Sequence, residues 1–257
     1  MIDTHSHILP YCDDGAGNWR QAEQMARQAA AQGVKIIVAT PHHRKGIFLN
    51  RPSHIQSLVT RLNKQLSDAK IPIHICTGQE YHMTSMIMAD LASGEIQSVE
   101  RTKYILVELS SRNLPKLVLP YLRVLKSRGL IPIIVHPERY EPVIENLSLL
   151  SGWLREGAFF QLTAGSLTGQ FGPAVQRTAY TIAEYNLAHL LASDAHDTSQ
   201  RSNRLGQAYE MLEKEFGREL SDRLKNNASL LLQNQPLLIG VPKRLYRAKW
   251  YEFSFIK

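Results

Sequence analysis

Cysteine is scarce in this chain. The two thiols, Cys12 and Cys76, form neither a disulfide framework nor a cysteine-rich metal knot. Neither opens the C-x5-R motif that a thiolate phosphatase needs, because Asn18 and His82 stand where the arginine would be. No apolar run approaches the roughly 18 residues needed to span a bilayer, so stable membrane insertion is not expected. The start, MIDTHSH, has neither the basic stretch nor the apolar core of a secretory signal, and a reducing cytoplasm is the expected setting. No glycine-rich phosphate loop follows the first apolar segment, which argues against an open nucleotide-binding sheet. The net charge of +7 suggests an anionic partner, but Lys243, Arg244, Arg247, Lys249 and Lys257 against Glu252 put +4 of it in the last fifteen residues. The remaining +3 is too little to argue for nucleic acid.

What is present is a regular alternation. The 257 residues, 44% hydrophobic and 21% charged, suffice for one α/β domain with a sizeable core. Short apolar, β-branched runs are read as strands at the opening segment and at 34–39, 71–77, 103–107, 130–135, 158–163 and 187–192. Between them, helical spacing predicts helices over 18–32, 52–68, 83–93, 115–128, 142–156 and 173–185, with two more at 203–216 and 218–232. Such alternation predicts a parallel sheet with crossover helices, and a closed or nearly closed (β/α) barrel is expected over an open sheet. Residues 1–233 are expected to form the barrel, and 234–257 a basic, aromatic extension packed on it.

The chemistry lies where the strands stop. Six of the seven runs end in His5/His7, His42, Glu80, Glu108, His136 and Asp194/His196, and Asp14 follows in the first loop. In a (β/α) barrel, the carboxyl ends of the strands and the loops after them form the active-site face, so these residues should share one cup. Five imidazoles and four carboxylates exceed the needs of one ion and suit two or three. A donor set of nitrogen and oxygen alone fits Mn²⁺, Fe²⁺ or Zn²⁺. Four carboxylates would not neutralise three divalent ions, which favours an anionic substrate such as a phosphate ester.

The stretches MIDTHSHILP-x-x-DDG, VATPHH-x-x-G, GQEYH, HPERY, QLTAGSLTGQFG and ASDAH-x(4)-R span residues 1 to about 205 in order. They resemble the PHP (polymerase and histidinol phosphatase) superfamily, and within it the manganese-dependent protein-tyrosine phosphatases of bacterial capsule and exopolysaccharide clusters. The resemblance implies a distorted, TIM-like (β/α)7 barrel with three divalent ions, manganese expected and iron or zinc the alternatives. It assigns one ion to His5, His7, Glu80 and Asp194, a second to Glu80, Glu108 and His136, and a third to Asp14, His42 and His196. Arg139 and Arg201 match the arginines that hold the phosphate. The implied reaction is hydrolysis of phosphotyrosine by direct attack of a metal-bridging hydroxide, with Asp194 and His196 at the reacting centre. The implied partner is the phosphotyrosine tail of a bacterial tyrosine kinase, through which peripheral membrane association would arise.

Two other readings compete: a PHP phosphoesterase for a small metabolite such as histidinol phosphate, and a non-catalytic, metal-binding kinase regulator. The complete ligand set and both arginines weigh against the regulator. His43, His54, His74, His82 and His189 are expected to be loop, surface or packed residues, and Gln161 either lines the cup or makes a structural hydrogen bond. Arg44, Lys45 and Phe48, on a loop beside His42, form either a wall beside a phosphotyrosine ring or a solvated loop. Cys12, where relatives carry an apolar residue, would make the site sensitive to oxidation. The sequence leaves the oligomeric state open.

Overall fold

Each of the seven apolar runs becomes a parallel strand in the computed structural model, which describes residues 1–112 and 117–243. The strands are β1 (Ile2–Ser6), β2 (Ile36–Ala39), β3 (His42–His43), β4 (His74–Thr77), β5 (Glu80–His82), β6 (Tyr104–Glu108), β7 (Ile131–Val135), β8 (Phe159–Thr163) and β9 (Leu190–Ala192). β3 and β5 were not anticipated. They continue β2 and β4 after short breaks, so that the lower staves pair as β1-β2-β4 and the upper ones as β3-β5-β6-β7-β8-β9.

The two sheets meet around a ring. Asp194 N donates to His5 O and His7 N to Ala195 O, both at 2.9 Å, joining the extension of β9 to β1. Near the opposite gap, the Glu100 carboxylate accepts from Thr77 N at 2.7 Å, where β4 has parted from β6. The barrel is therefore distorted at the step from β4 to β5. Gly78 lies in that step because a Cβ there would fall 2.6 Å from Val38 Cγ1.

Helices α1 (Trp19–Ala31), α2 (Pro52–Asp68), α3 (Ile87–Ser93), α4 (Val118–Ser127), α5 (Glu141–Glu145), α6 (Ser148–Arg155), α7 (Ala164–Leu167), α8 (Pro173–Glu184), α9 (Leu205–Phe216) and α10 (Arg218–Leu232) complete the chain. Asn18 caps α1 by accepting from Gln21 N at 2.9 Å, as its position suggests. The expected helix over 142–156 is instead two, α5 and α6. Asn146 leaves helical geometry at φ −145°, and its side chain accepts from Ser148 Oγ at 2.6 Å, starting α6 afresh. The helix expected from Met83 begins later because Met83 N still donates to Glu108 O at 2.8 Å in the sheet. Residues 113–116, where a helix was expected to begin, lie outside the described residues.

Successive strand residues fall into two separate apolar clusters, as the two-residue period requires. Ile37, Ile75, Ile105, Val107, Ile134, Phe160 and Leu162 pack with the buried faces of the surrounding helices. Val38, Cys76, Tyr104, Leu106, Ile133, Val135 and Leu190 form the other cluster with Ala228, Leu231 and Leu237, so α10 and the residues after it cover the amino ends of the strands. That leaves the carboxyl ends open for chemistry. Residues 234–243 are fastened by Tyr104 OH to Gln235 O (2.6 Å) and by paired bonds of Asn227 with Leu238 (2.7 and 2.9 Å). The rest of the basic, aromatic extension, 244–257, lies outside the described residues. Among the described residues, no helix is long and apolar enough to cross a membrane.

Candidate metal centre

The nine candidate ligands meet at the open end of the ring, eight of them buried and Asp14 half exposed. Pairing register explains part of this. β3 sets His42 beside Glu80, and β5 sets His82 beside Glu108. His5 and His7 share one face of β1 and its extension, with ring centroids 5.2 Å apart. His136 (φ 38°) and Asp194 (φ 51°) both adopt left-handed backbone geometry at the ends of their strands. Non-glycine residues held there cost about 1–3 kcal/mol each, a cost that clusters at working sites.

Three of the five imidazoles are oriented by a partner at the outward nitrogen. His7 Nδ1 lies 2.7 Å from Asp13 Oδ2, His5 Nδ1 lies 2.8 Å from Gln161 Oε1, and His196 Nδ1 lies 3.0 Å from the Asp194 carbonyl. An N–H given to an oxygen on that side leaves the Nε2 lone pair facing the cup, the arrangement that metal-binding histidines use. Gln161 is itself fixed by donating to Thr4 Oγ1 at 2.8 Å, so its role is a structural hydrogen bond to His5. Asp13 also accepts from His42 N at 2.9 Å and from Gly15 N at 2.9 Å. Gly15 is required because a Cβ there would meet His7 O at 2.1 Å.

The donor atoms have the spacing of ligands around an ion. His5 Nε2 and His7 Nε2 lie 3.2 Å apart, 3.5 and 3.4 Å from Glu80 Oε2, and 3.6 and 3.3 Å from Asp194 Oδ1. Four ligands set tetrahedrally at about 2.1 Å from one centre would be separated by about 3.4 Å. A second group brings His42 Nδ1 to 2.6 Å from Glu80 Oε2 and 3.8 Å from Glu108 Oε2, with His136 Nε2 2.9 Å from Glu80 Oε1. In a third, Asp14 Oδ1 lies 3.4 Å from His42 Nε2 and 3.5 Å from His196 Nε2, with His7 close by. Buried His196 Nε2 has no protein hydrogen-bond partner, and His42 Nδ1 and Glu80 Oε2 have none beyond their contact with each other. Buried lone pairs of this kind are costly unless something else satisfies them, and a divalent cation would do so. The residues fit the group.

Charge in the cup follows from burial and neighbours. Although burial opposes its charge, Glu80 is held well below the usual carboxylate range by His42, His5 and His136. Asp194 is similarly held down against its burial by Arg201, His196 and His7. Burial, helped by Arg139, lowers His136 to about 4, and burial with His7 lowers His196 to about 4. Burial also works against charge on His7, but Asp13, joined by Asp194 and Glu80, raises that imidazole well above its usual range.

Arg139 Nη1 and Arg201 Nη2 both reach Asp194 Oδ2, at 2.6 and 2.9 Å. Oδ1, the other oxygen, is the one that faces His5 and His7. Arg139 also lies over the Phe171 ring at 4.7 Å. Asp197 accepts from Arg201 N at 3.1 Å and so shapes the loop that delivers this arginine.

Several side chains sit elsewhere than the sequence suggests. Arg44 does not line the cup; it makes a bidentate pair with Asp90 at 2.6 and 2.9 Å. Phe48 stacks near His42 with centroids 6.2 Å apart, and Lys45 reaches inward. His82 does touch the cup, 2.9 Å from Glu108 Oε2, and its place two residues after Glu80 on one strand was the available signal. His43 and His189 are buried and His54 and His74 exposed, none among the candidate ligand groups. Burial pushes both Cys12 and Cys76 up to about 12, so neither thiol is an oxidation-prone thiolate near neutral pH.

Comparison with known proteins agrees with this geometry. Residues 1–233 match the family described as capsular polysaccharide synthesis, CpsB/CapC. The chain is 41% identical to tyrosine-protein phosphatase YwqE of Bacillus subtilis over 253 residues, covering 98% of this chain and 100% of that protein. It is 33% identical to the putative tyrosine-protein phosphatase CapC of Staphylococcus aureus, over 98% of this chain and 99% of that one. A crystal structure from work on YwqE of Bacillus subtilis and CpsB of Streptococcus pneumoniae, described as metal-dependent tyrosine phosphatases, has a TM-score of 0.92 and 41% identity. It covers 96% of this chain and 100% of the other. An organophosphorus hydrolase mutant from Deinococcus radiodurans, at 13% identity and TM-score 0.54, covers 90% of this chain and 92% of its own and shares the fold.

Proposed function

Because this chain belongs to the CpsB/CapC family of capsular polysaccharide synthesis, we propose that it is a metal-dependent phosphotyrosine-protein phosphatase. The observation that carries the reading is the set of His5, His7, Glu80 and Asp194 donors separated by 3.2–3.6 Å, with two arginines on the outer oxygen of the same Asp194. The ligands are His5, His7, Glu80 and Asp194 for one ion, Glu80, Glu108 and His136 for a second, and Asp14, His42 and His196 for a third. Manganese is the proposed metal. The native partner is the phosphotyrosine tail of a bacterial tyrosine kinase governing polysaccharide export, met in the cytoplasm.

When bound, the divalent ions supply Lewis-acid activation of water and neutralise phosphate charge. The protein supplies the rest. Arg139 and Arg201 bind non-bridging phosphate oxygens, for which the guanidinium fork is suited. Their present partner, Asp194 Oδ2, holds both arginines at the cup's edge, so little reorganisation is needed when substrate enters. Asp13 and Gln161 keep the His7 and His5 lone pairs directed inward. A phenol leaves with a pKa near 10, so this leaving group needs less help from a proton donor than an alkoxide would. No thiolate takes part, since burial keeps both cysteines protonated.

The test is a substrate comparison on metal-replete protein: phosphotyrosine peptide, phosphoserine peptide and histidinol phosphate. Phosphotyrosine should turn over fastest. Preference for histidinol phosphate would favour a metabolite phosphoesterase, and no turnover of any of them would favour a regulator.

A further inference from the structure

Lys45 brings a cation into the cup from a loop that holds it there. The backbone from Arg44 to Phe48 closes on itself, with Arg44 N donating to Phe48 O at 2.9 Å and Phe48 N to Lys45 O at 3.0 Å. Arg44 is clamped on Asp90, and Phe48 lies against the His42 ring. With the loop fixed on both sides, the Lys45 stem runs inward. Its Nζ lies 2.7 Å from Glu108 Oε1 and 3.0 Å from His42 Nε2, while the side chain remains 36% exposed.

The second contact is the informative one. An ammonium has donors and no acceptor, so a hydrogen bond from Nζ to His42 Nε2 uses the ring's lone pair. That atom is the same one that faces Asp14 Oδ1 at 3.4 Å in the group with His196. A lone pair serves a lysine or a metal ion, not both. The inner group of His5, His7, Glu80 and Asp194 is different. Its basic neighbours, Arg139 and Arg201, bind Asp194 through Oδ2 and leave Oδ1 facing the histidines.

Resting on the metal centre proposed above, we propose that Lys45 is a tethered cation competing with the divalent ion of the outer group, Asp14, His42 and His196. The outer ion is then the last to bind and the first to leave. Its arrival displaces the ammonium, which a flexible four-carbon stem permits. Glu108, assigned above to the second ion, anchors the competitor through Oε1 while its Oε2 still faces His42 Nδ1 at 3.8 Å, and half-exposed Asp14 gives the outer ion its route of exchange with solvent. The inner ion is retained under conditions that empty the outer position.

Calorimetric titration of chelator-stripped protein with Mn²⁺, paired with counting of retained metal, tests this. In Lys45→Met and Lys45→Ala the weakest site should tighten about tenfold or more, with the tightest site within about twofold of wild type. Lys45→Arg, which keeps the charge, should leave the weakest site weak. An unchanged or lower affinity of the weakest site in both neutral variants would overturn the competition. Wild-type protein that binds no divalent ion would overturn the metal centre itself, an outcome distinct from equal binding by wild type and variants.

Discussion

The carboxylate of Asp13 lies 2.7 Å from Nδ1 of His7, and that contact decides which ring nitrogen His7 offers to the cup. Asp13 is not among the ligand groups, yet it orients a ligand of the proposed inner ion. Outer-shell partners of this kind are worth roughly 10–100-fold in metal affinity. Asp13→Asn should therefore weaken Mn²⁺ binding by about that factor while preserving the fold, as read by calorimetry alongside circular dichroism. Unchanged affinity would show that β1 alone orients His7.

A second prediction concerns close packing over the same histidine. Gly15→Ala would set a Cβ 2.1 Å from His7 O, so the Asp13–Asp14–Gly15 turn must move. Overpacking of this order costs about 1–3 kcal/mol. The variant should show a lowered melting temperature and also lose metal, because Asp13 and Asp14 shift with the turn. A variant that melts normally and holds its metal would contradict the close approach.

Arg139 and Arg201 share one oxygen of Asp194, which makes their effects interdependent. Arg139→Ala and Arg201→Ala should each lower kcat/KM on a phosphotyrosine peptide by about 10²–10³, with metal content kept. The double variant should lose less than the product of the two, since the residues act on one group. Strict multiplicativity in steady-state kinetics would argue that they bind separate oxygens independently.

The pH dependence of stability has an identifiable contributor away from the cup. Buried His189 accepts a hydrogen bond from Phe160 N at its Nδ1, and burial, followed by Arg223, lowers it to about 3. The unfolded chain binds that proton near pH 6.5 and the folded chain does not, so this contribution is complete above about 6.5 and is lost as pH falls toward 3. The loss is up to about 1.4 kcal/mol per pH unit in that window. His189→Asn keeps an acceptor but cannot titrate. Its melting temperature should fall less steeply than wild type between about pH 6 and pH 4. Parallel curves would assign the acid limb to other groups.

Much of this was legible in the chain because apolar, β-branched runs such as Ile36–Ala39 and Ile131–Val135 are buried strands whatever follows them. The polar residues at their ends were legible for the same reason, since barrel geometry dictates where strand ends point. β3 and β5 were not, because His42–His43 and Glu80–His82 are too short and polar to show a period. Their pairing comes from the sheet continuing past Pro41 and Gly78. The orientation of His5 by Gln161, across 156 positions, has no local signal at all. Arg44 illustrates the converse. It sits two residues after the candidate ligand His42, but buried Asp90, 46 residues on, turns it away.

The central claim is that hydrolysis is carried by ions held among His5, His7, Asp14, His42, Glu80, Glu108, His136, Asp194 and His196. The most direct measurement is phosphotyrosine-peptide turnover by chelator-stripped protein during stepwise return of Mn²⁺, run beside His136→Ala and Asp194→Ala. Turnover should be absent without metal, rise with added Mn²⁺ in the wild type, and stay lower by orders of magnitude in both folded variants. Stripped protein, or either variant, working at the rate of loaded wild type would contradict it.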